Sequence, residues 1–168
     1  MCKAMEMLAK HEDTIFLGQA VEYQGTAMYN TLRNVDIHKR LEMPVCEVMQ
    51  MGMSIGMGIN GKVPVSIFPR WNFLLLATDQ IVNHLDKYPY MGYDPRVIIR
   101  TGIGSTNPLD PQHQHKYDFT ECFKSILHHV NVVRLDSAKD IVPAYKEALT
   151  REKNRATILV EISDKYNE

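Results

Sequence analysis

The reading of this chain turns on the run Met43-Pro44-Val45-Cys46-Glu47-Val48-Met49-Gln50-Met51-Gly52-Met53-Ser54-Ile55-Gly56-Met57-Gly58-Ile59-Asn60-Gly61. Pro44 biases the residue before it toward extended backbone, so the chain arrives strand-like and Glu47 is expected where the backbone turns into a helix. Gly52 and Gly56 then lie one helical turn apart on one face. Each glycine costs roughly 1 kcal/mol of helix propensity against Ala, which is tolerable where another backbone approaches that face closely. One helix thus carries a single carboxylate at its start and a packing face along its length.

Two phosphate-binding patterns overlap the same run: Gly56-x-Gly58-x-x-Gly61 fits the dinucleotide fingerprint, and Gly56-x4-Gly61-Lys62 is nearly a P-loop. Both need a strand before and a helix after, so that helix N-terminal amides cradle phosphate. Here the order is helix, glycines, strand, and Val63 stands where the P-loop needs Ser or Thr. Neither pattern is adopted. Taken alone, Glu47 has a bland reading as a helix-start carboxylate favoured by the dipole, worth ~0.3–1 kcal/mol.

On either side, apolar periodicity alternates between strand and helix. Residues 1–11 read as an amphipathic helix, Ile15-Phe16-Leu17 before Gly18 as a short strand, and Glu22 to Asn34 as loop with a turn of helix. Val63 to Phe68 is a strand whose Pro64 suggests its first residues or a sheet edge. Asn72 is a plausible N-cap for a long helix to about Lys87, with Phe73, Ala77, Ile81 and Leu85 at four-residue spacing. Arg96 to Arg100 follows as a strand, then Thr101 to Lys116 as a long polar loop with Gly102, Gly104, Pro108, Pro111, His113 and His115. Asp118 to His128 reads as a helix with His128 and His129 at its end, and Val130 to Leu135 as a strand. Ser137 with Asp140 forms a capping box for a helix to about Arg151, and Thr157 to Ile162 closes as a strand. The expected class is α/β, a three-layer sandwich around a mainly parallel sheet.

A length of 168 residues and a 45% hydrophobic fraction suit one domain, 1–168. The formal net charge of −1 arises from interspersed charges, with no basic block to mark nucleic acid or an anionic membrane as partner. Cys2, Cys46 and Cys122 make no CxxC and no even disulfide set, as expected in a reducing compartment. No apolar run approaches the ~20 residues of a membrane span, so a soluble cytoplasmic protein is the expectation. His113 and His115 could be loop metal ligands, but no further ligand can be assigned beside them.

Glu47, four residues, Gly52, Met53, two residues, Gly56 and Met57 resemble the first half of the signature of thiamine diphosphate enzymes. Phe68, Trp71, Phe73, Asp79-Gln80, Ile81-Val82 and Asn83 are similar, in order, to the beta subunit of the 2-oxo acid dehydrogenase decarboxylase component. Tyr90-Met91-Gly92, Arg100 before a glycine-bearing loop, and Gln112-His113 follow in that family's order, and the resemblance runs from Phe16-Leu17-Gly18 to Val160-Glu161. It implies the pyrimidine-binding domain of the transketolase and 2-oxo acid dehydrogenase beta-subunit family. Glu47 would contact the cofactor's pyrimidine nitrogen, favouring the imino tautomer whose nitrogen takes the thiazolium proton. A partly buried carboxyl suits that relay. The resemblance further implies that Phe73 stacks on the pyrimidine with Phe68 and Trp71 as wall or core, that His113 faces substrate, and that Gly52 and Gly56 pack across a dimer. Simple core packing is the competing reading for Phe73.

Departures accompany the resemblance. The chain has no Gly-Asp-Gly, so Mg2+ and the diphosphate are expected on a partner, an alpha-type diphosphate-domain subunit. The C-terminal transketolase-like domain is likewise absent from the sequence. Gln19 follows Gly18 where the family usually has Glu near the cofactor, and Gln114-His115 replaces the usual Ser-Gln. The implied function is the pyrimidine-binding subunit of a split enzyme for 2-oxo acid decarboxylation or aldehyde transfer, as a homodimer or heterotetramer. Two alternatives stand beside it: a non-catalytic orphan domain with a structural or regulatory role, and a transketolase-like or deoxyxylulose-synthase-like subunit acting on a sugar phosphate.

Overall fold

A computed structural model describes residues 1–106 and 110–166. Its strands are β1 (Thr14–Gly18), β2 (Arg40–Glu42), β3 (Val63–Ile67), β4 (Ile98–Ile103), β5 (Asn131–Leu135) and β6 (Thr157–Ile162). They form one sheet in the order β2-β1-β3-β4-β6-β5, with every neighbouring pair parallel. Parallel strands carry helices on both faces, so central strands are buried on both faces and largely apolar instead of alternating, with Ser66, Arg100 and Glu161 among the buried polar exceptions. β3 and β6 are buried along their whole length.

The helices are α1 (Cys2–Ala9), α2 (Ala27–Leu32), α3 (Glu47–Ile59), α4 (Trp71–Leu74), α5 (Thr120–Ile126) and α6 (Ala138–Thr150). Two cores divide them. Met5 and Leu8 of α1, Leu32 of α2, and Ile141 and Tyr145 of α6 pack with Phe16, Val65, Ile98 and Leu159 of the sheet. Met51 and Ile55 of α3, Leu74 of α4, Ile81, and Phe123 of α5 pack with Ile99, Ile158 and Val160, whose side chains alternate to the other face. The architecture is therefore the expected three-layer α/β sandwich, with a sheet that is wholly parallel among the described residues.

Local differences have physical causes. The strand before α3 is Arg40–Glu42, three residues ahead of the proline-biased stretch, because its register places Phe16 opposite Arg40 and Gly18 opposite Glu42. Pro64 is not at an edge. It is the second residue of β3, which lies between β1 and β4. β4 begins two residues later than the apolar run suggested and extends to Ile103. The helix expected from Asn72 to Lys87 is broken into α4, a 3-10 turn (Leu75–Ala77) and a π-helical stretch (Gln80–Leu85). The Thr78 hydroxyl donates to the Leu75 carbonyl at 2.6 Å, and the Asp86 N–H reaches back five residues to Ile81. Asn72 lies inside α4, with Arg70 at its N-cap. Ser137 does cap α6, but through its carbonyl to Asp140 N–H, not its hydroxyl. His128 and His129 follow α5, which ends at Ile126, and their N–H groups donate to Asp86 at 2.8 and 2.7 Å. Part of the polar loop, including Pro108, lies outside the described residues.

Gly61 explains why the glycine run ends a helix. At φ +85° it occupies the left-handed position after the Asn60 cap, with its N–H on Gly58 O and Lys62 N–H on Met57 O. That Schellman-type closure turns the chain into β3, so the glycines cradle no phosphate at a helix start.

Candidate functional site

The loops after β1, β3 and β4 converge at the carboxyl end of the central strands, the position where open parallel sheets form a ligand crevice. Glu47 enters this crevice as the first residue of α3 and is 5% exposed. Its described partner is the Gln19 amide, which donates to Oε1 at 3.4 Å. A carboxylate can accept several hydrogen bonds, so one long contact leaves most of that capacity for a ligand. The helix dipole favours the negative charge there.

One turn further along α3, Gln50 fixes the helix to the sheet. Its amide donates to Ile67 O at 3.0 Å and to Ser66 Oγ at 3.1 Å. These acceptors sit at the end of β3, where the parallel ladder runs out. Ser54 in turn donates to Gln50 O at 2.8 Å. Glu47, Gln50 and Ser54 make a buried polar stripe at helical spacing on a helix otherwise rich in Met and Gly.

The turn directly after Gln19 is held by Glu42. The Glu42 carboxylate accepts the N–H groups of Ala20, Val21 and Glu22 at 2.6, 2.8 and 2.9 Å. Ala20 adopts φ +60°, a left-handed conformation that costs an L-residue roughly 1–2 kcal/mol. Glu42 thus stabilises a strained turn directly after the residue that touches Glu47.

Phe73 is half-buried in α4, and its ring stacks on His115 with centroids 5.4 Å apart and planes 29° from parallel. The histidine brought to the aromatic is therefore His115, while His113 is exposed in the 3-10 turn Gln112–His115. His115 carries its carbonyl on Gly104 N–H at 2.8 Å. Burial, then the nearby Arg70 charge, lowers its pKa below the ordinary imidazole value, so the ring is neutral at pH 7. Polar atoms buried without a partner among the described residues include His115 Nδ1 and, beside Phe73 in sequence, Asn72 Oδ1 and Trp71 Nε1. Phe68 is 1% exposed in the second core and offers no ring face to a ligand in this chain. Trp71 packs on Phe123 at 4.9 Å and edge-on to Phe119.

Gly52 and Gly56 face outward. A Cβ at Gly56 would meet nothing within 4 Å, and one at Gly52 only Gln80 Oε1 at 3.7 Å. The close approach within this chain is at Gly58, where a Cβ would stand 3.0 Å from Pro95 and Val97. Met49 and Met53, on the same face as Gly52 and Gly56, are exposed.

A cavity of about 280 Å³ adjoins the site, lined by residues of the three converging loops including Ala20, Arg70 and Gly104. A larger one, about 500 Å³, lies away from it between α1 and the segment before β2. Its polar groups are largely committed to one another: Asn34 donates to Glu6, and Lys39 to the His11 and Glu12 carbonyls. Among the described residues no group of three or more His, Cys, Asp or Glu is placed to hold a metal ion, and no helix is long and apolar enough to cross a membrane.

No family model matches the chain. Its sequence is 27% identical over 118 residues to the pyruvate dehydrogenase E1 component subunit beta of Rhizobium meliloti, covering 67% of this chain and 26% of that protein. It is 29% identical over 144 residues to the Rickettsia bellii subunit, covering 82% and 43%. Against the human mitochondrial subunit it is 26% identical over 165 residues, covering 92% and 44%. The chain spans less than half the length of these relatives. Among solved structures it is similar to a split gene transketolase described as an inactive beta4 tetramer, with a TM-score of 0.74 and 16% identity over 96% of this chain and 49% of that one. That likeness shows the fold.

Proposed function

We propose that this chain is a member of the transketolase and 2-oxo acid dehydrogenase beta-subunit family, to whose beta subunits it is 26–29% identical, and that within it the chain is the pyrimidine-binding subunit of a split thiamine diphosphate enzyme. The observation that carries this reading is Glu47: a nearly buried carboxylate at a helix start, in the crevice at the carboxyl end of a parallel sheet, with one weak partner. Bound thiamine diphosphate supplies a nucleophilic thiazolium carbon and an electron sink for cleaving or forming a bond beside a carbonyl. Glu47 would hold a proton toward the pyrimidine ring of the cofactor, and Gln19 donates its amide to Oε1 and so orients the carboxylate. Phe73 would offer a ring to the pyrimidine, and its stacked neighbour His115 would supply an imidazole able to hydrogen-bond a bound substrate's carbonyl. His113, exposed in this chain, is in reach of substrate only where a partner or a movement of the 112–115 turn brings it in.

The diphosphate and Mg2+ are assigned to an alpha-type partner, since this chain offers neither a Gly-Asp-Gly run nor a carboxylate cluster among the described residues. The open Gly52/Gly56 face, with Met49 and Met53 beside it, is the surface for a second copy or for that partner. The fold's likeness to a split transketolase in an inactive beta4 state favours a homo-oligomer that is silent until its partner binds. A 2-oxo acid and a sugar phosphate are the substrate classes in view. An orphaned, non-catalytic domain is the second reading, favoured by Gln19, which cannot titrate where a carboxylate is usual.

The test is reconstitution with the alpha-type partner, thiamine diphosphate and Mg2+, comparing the native chain with Glu47→Gln. The expected result is an assembled complex without turnover. Undiminished turnover would remove Glu47 from the chemistry.

A further inference from the structure

The half-buried and buried arginines of this chain divide unevenly. Arg40 donates to the carbonyls of Val21, Leu32 and Val35, and Arg96 to those of Ala148 and Arg151. Arg100 pairs with Glu161, Arg151 with Glu147, and Arg155 with Asp94. The Arg70 side chain, also half-buried, makes no hydrogen bond or ion pair among the described residues; only its backbone carbonyl is engaged, by the Phe73 and Leu74 N–H groups. Removing a guanidinium partly from water without a counter-ion is unfavourable, and the described residues offer it none.

Among the described residues Arg70 is also the only charged one lining the cavity of about 280 Å³ between the loops after β1, β3 and β4. The walls around it are apolar or already satisfied: Met28 and Ile103 are apolar, the Thr26 hydroxyl shares its proton between Ala20 O and Tyr23 O, and the Ser105 hydroxyl donates to Asp164. Among the described residues no carboxylate lines the cavity itself; Asp164 stands behind Ser105. Its size falls near the lower end of small-molecule sites. The planar fork of a guanidinium matches the two oxygens of a carboxylate or phosphate, and such charge-assisted pairs are about twice as strong as neutral ones. The Arg70 charge acts on His115, which stacks on Phe73, adding to burial in lowering the imidazole pKa.

We propose that Arg70 is a specificity-determining residue that receives the oxyanion of the substrate, a carboxylate or a phosphate ester, in the cavity between the loops after β1, β3 and β4. That the anion is a substrate's rests on the function proposed above; the anion site itself stands on this chain alone. The described residues that line the cavity belong to this chain, so the whole purified chain is titrated as it stands. Titrations with inorganic phosphate, ribose 5-phosphate and pyruvate, followed by backbone amide chemical shifts, are run on the native chain, Arg70→Gln and Arg70→Lys. The expected result is shifts at the Ala20 and Gly104 amides, binding weakened about tenfold or more in Arg70→Gln, and an intermediate loss in Arg70→Lys, which keeps charge but not the fork. Arg70-dependence confined to the phosphates identifies a phosphate ester, and dependence confined to pyruvate a 2-oxo acid; either supports the site. Equal affinities in native chain and Arg70→Gln, with both spectra dispersed as for folded protein, overturn it. Failure here leaves the Glu47→Gln comparison in the reconstituted enzyme untouched, and full turnover by Glu47→Gln leaves the Arg70 titration untouched.

Discussion

Replacing Glu42 by Ala isolates the turn that positions Gln19. The carboxylate holds three successive N–H groups, from Ala20, Val21 and Glu22, at 2.6 to 2.9 Å. Hydrogen bonds to a charged group contribute about 1.5–3 kcal/mol each, but the three do not share one environment. Glu22 is exposed and Ala20 half-buried, so water replaces the carboxylate there; Val21 is fully buried. The loss is then dominated by one amide that is hard to rehydrate, about 1–3 kcal/mol, with smaller terms from the other two. About 2–3 kcal/mol is expected, a sizeable fraction of the ~5–15 kcal/mol typical of a domain. Urea unfolding followed by circular dichroism measures the total, and amide hydrogen exchange localises it: residues 20–22 lose protection while the β3 and β4 amides keep theirs. Ala20→Gly, which removes the strain at φ +60°, recovers about 1 kcal/mol in the Glu42→Ala background. A cost below about 0.5 kcal/mol, with exchange at residues 20–22 unchanged, would falsify the idea that Glu42 holds this turn.

Two further outcomes follow from buried charge. Arg100, 2% exposed, donates to both oxygens of Glu161 at 2.6 and 3.1 Å and to Thr31 Oγ at 2.7 Å, while the Tyr145 hydroxyl donates to Glu161 at 2.8 Å. Burial works against the arginine's charge, but the Glu161 carboxylate outweighs it and raises the arginine's pKa; burial, then Glu161, raises that of Tyr145. Glu161→Ala should cost about 3–5 kcal/mol by stranding Arg100, whereas Arg100→Met with Glu161→Leu should be nearly neutral; chemical denaturation of both decides it, and equal losses would contradict the argument. Asp86 is fully buried and accepts N–H groups from His128, His129 and Val130 and the Lys87 ammonium. Burial pushes its carboxyl up, but these donors outweigh it and lower the pKa. Its contribution is therefore complete above the ordinary carboxylate pKa of about 3.9 and is lost as pH falls through the lower folded value. Asp86→Asn should flatten that acid limb in melting temperature against pH, and an unchanged limb would assign acid sensitivity elsewhere.

How far the sequence could be read depends on the range of the interactions involved. α3 and β3 were legible because the Pro44 bias, the glycine spacing and the apolar run of β3 act within a few residues. β2 was not, because Arg40–Glu42 carries no apolar alternation; it is a strand only because β1 lies beside it. Likewise the helix after Phe68 has good periodicity, yet the Thr78 hydroxyl and the demands of the second core rewind it into 3-10 and π turns. The site shows the same division. Glu47 could be placed from its local context, and so could an aromatic at Phe73. Which histidine meets that aromatic could not, since His113 and His115 differ by two residues in a loop whose path is set by Gly104. A Cβ at Gly104 would lie 2.4 Å from the His115 carbonyl, so the backbones touch there and the 112–115 turn is pinned at His115. That contact swings His115 onto Phe73 and leaves His113 in solvent. It follows that the imidazole at the aromatic is chosen by a glycine some ten residues upstream, through a long-range contact that residue order alone does not encode.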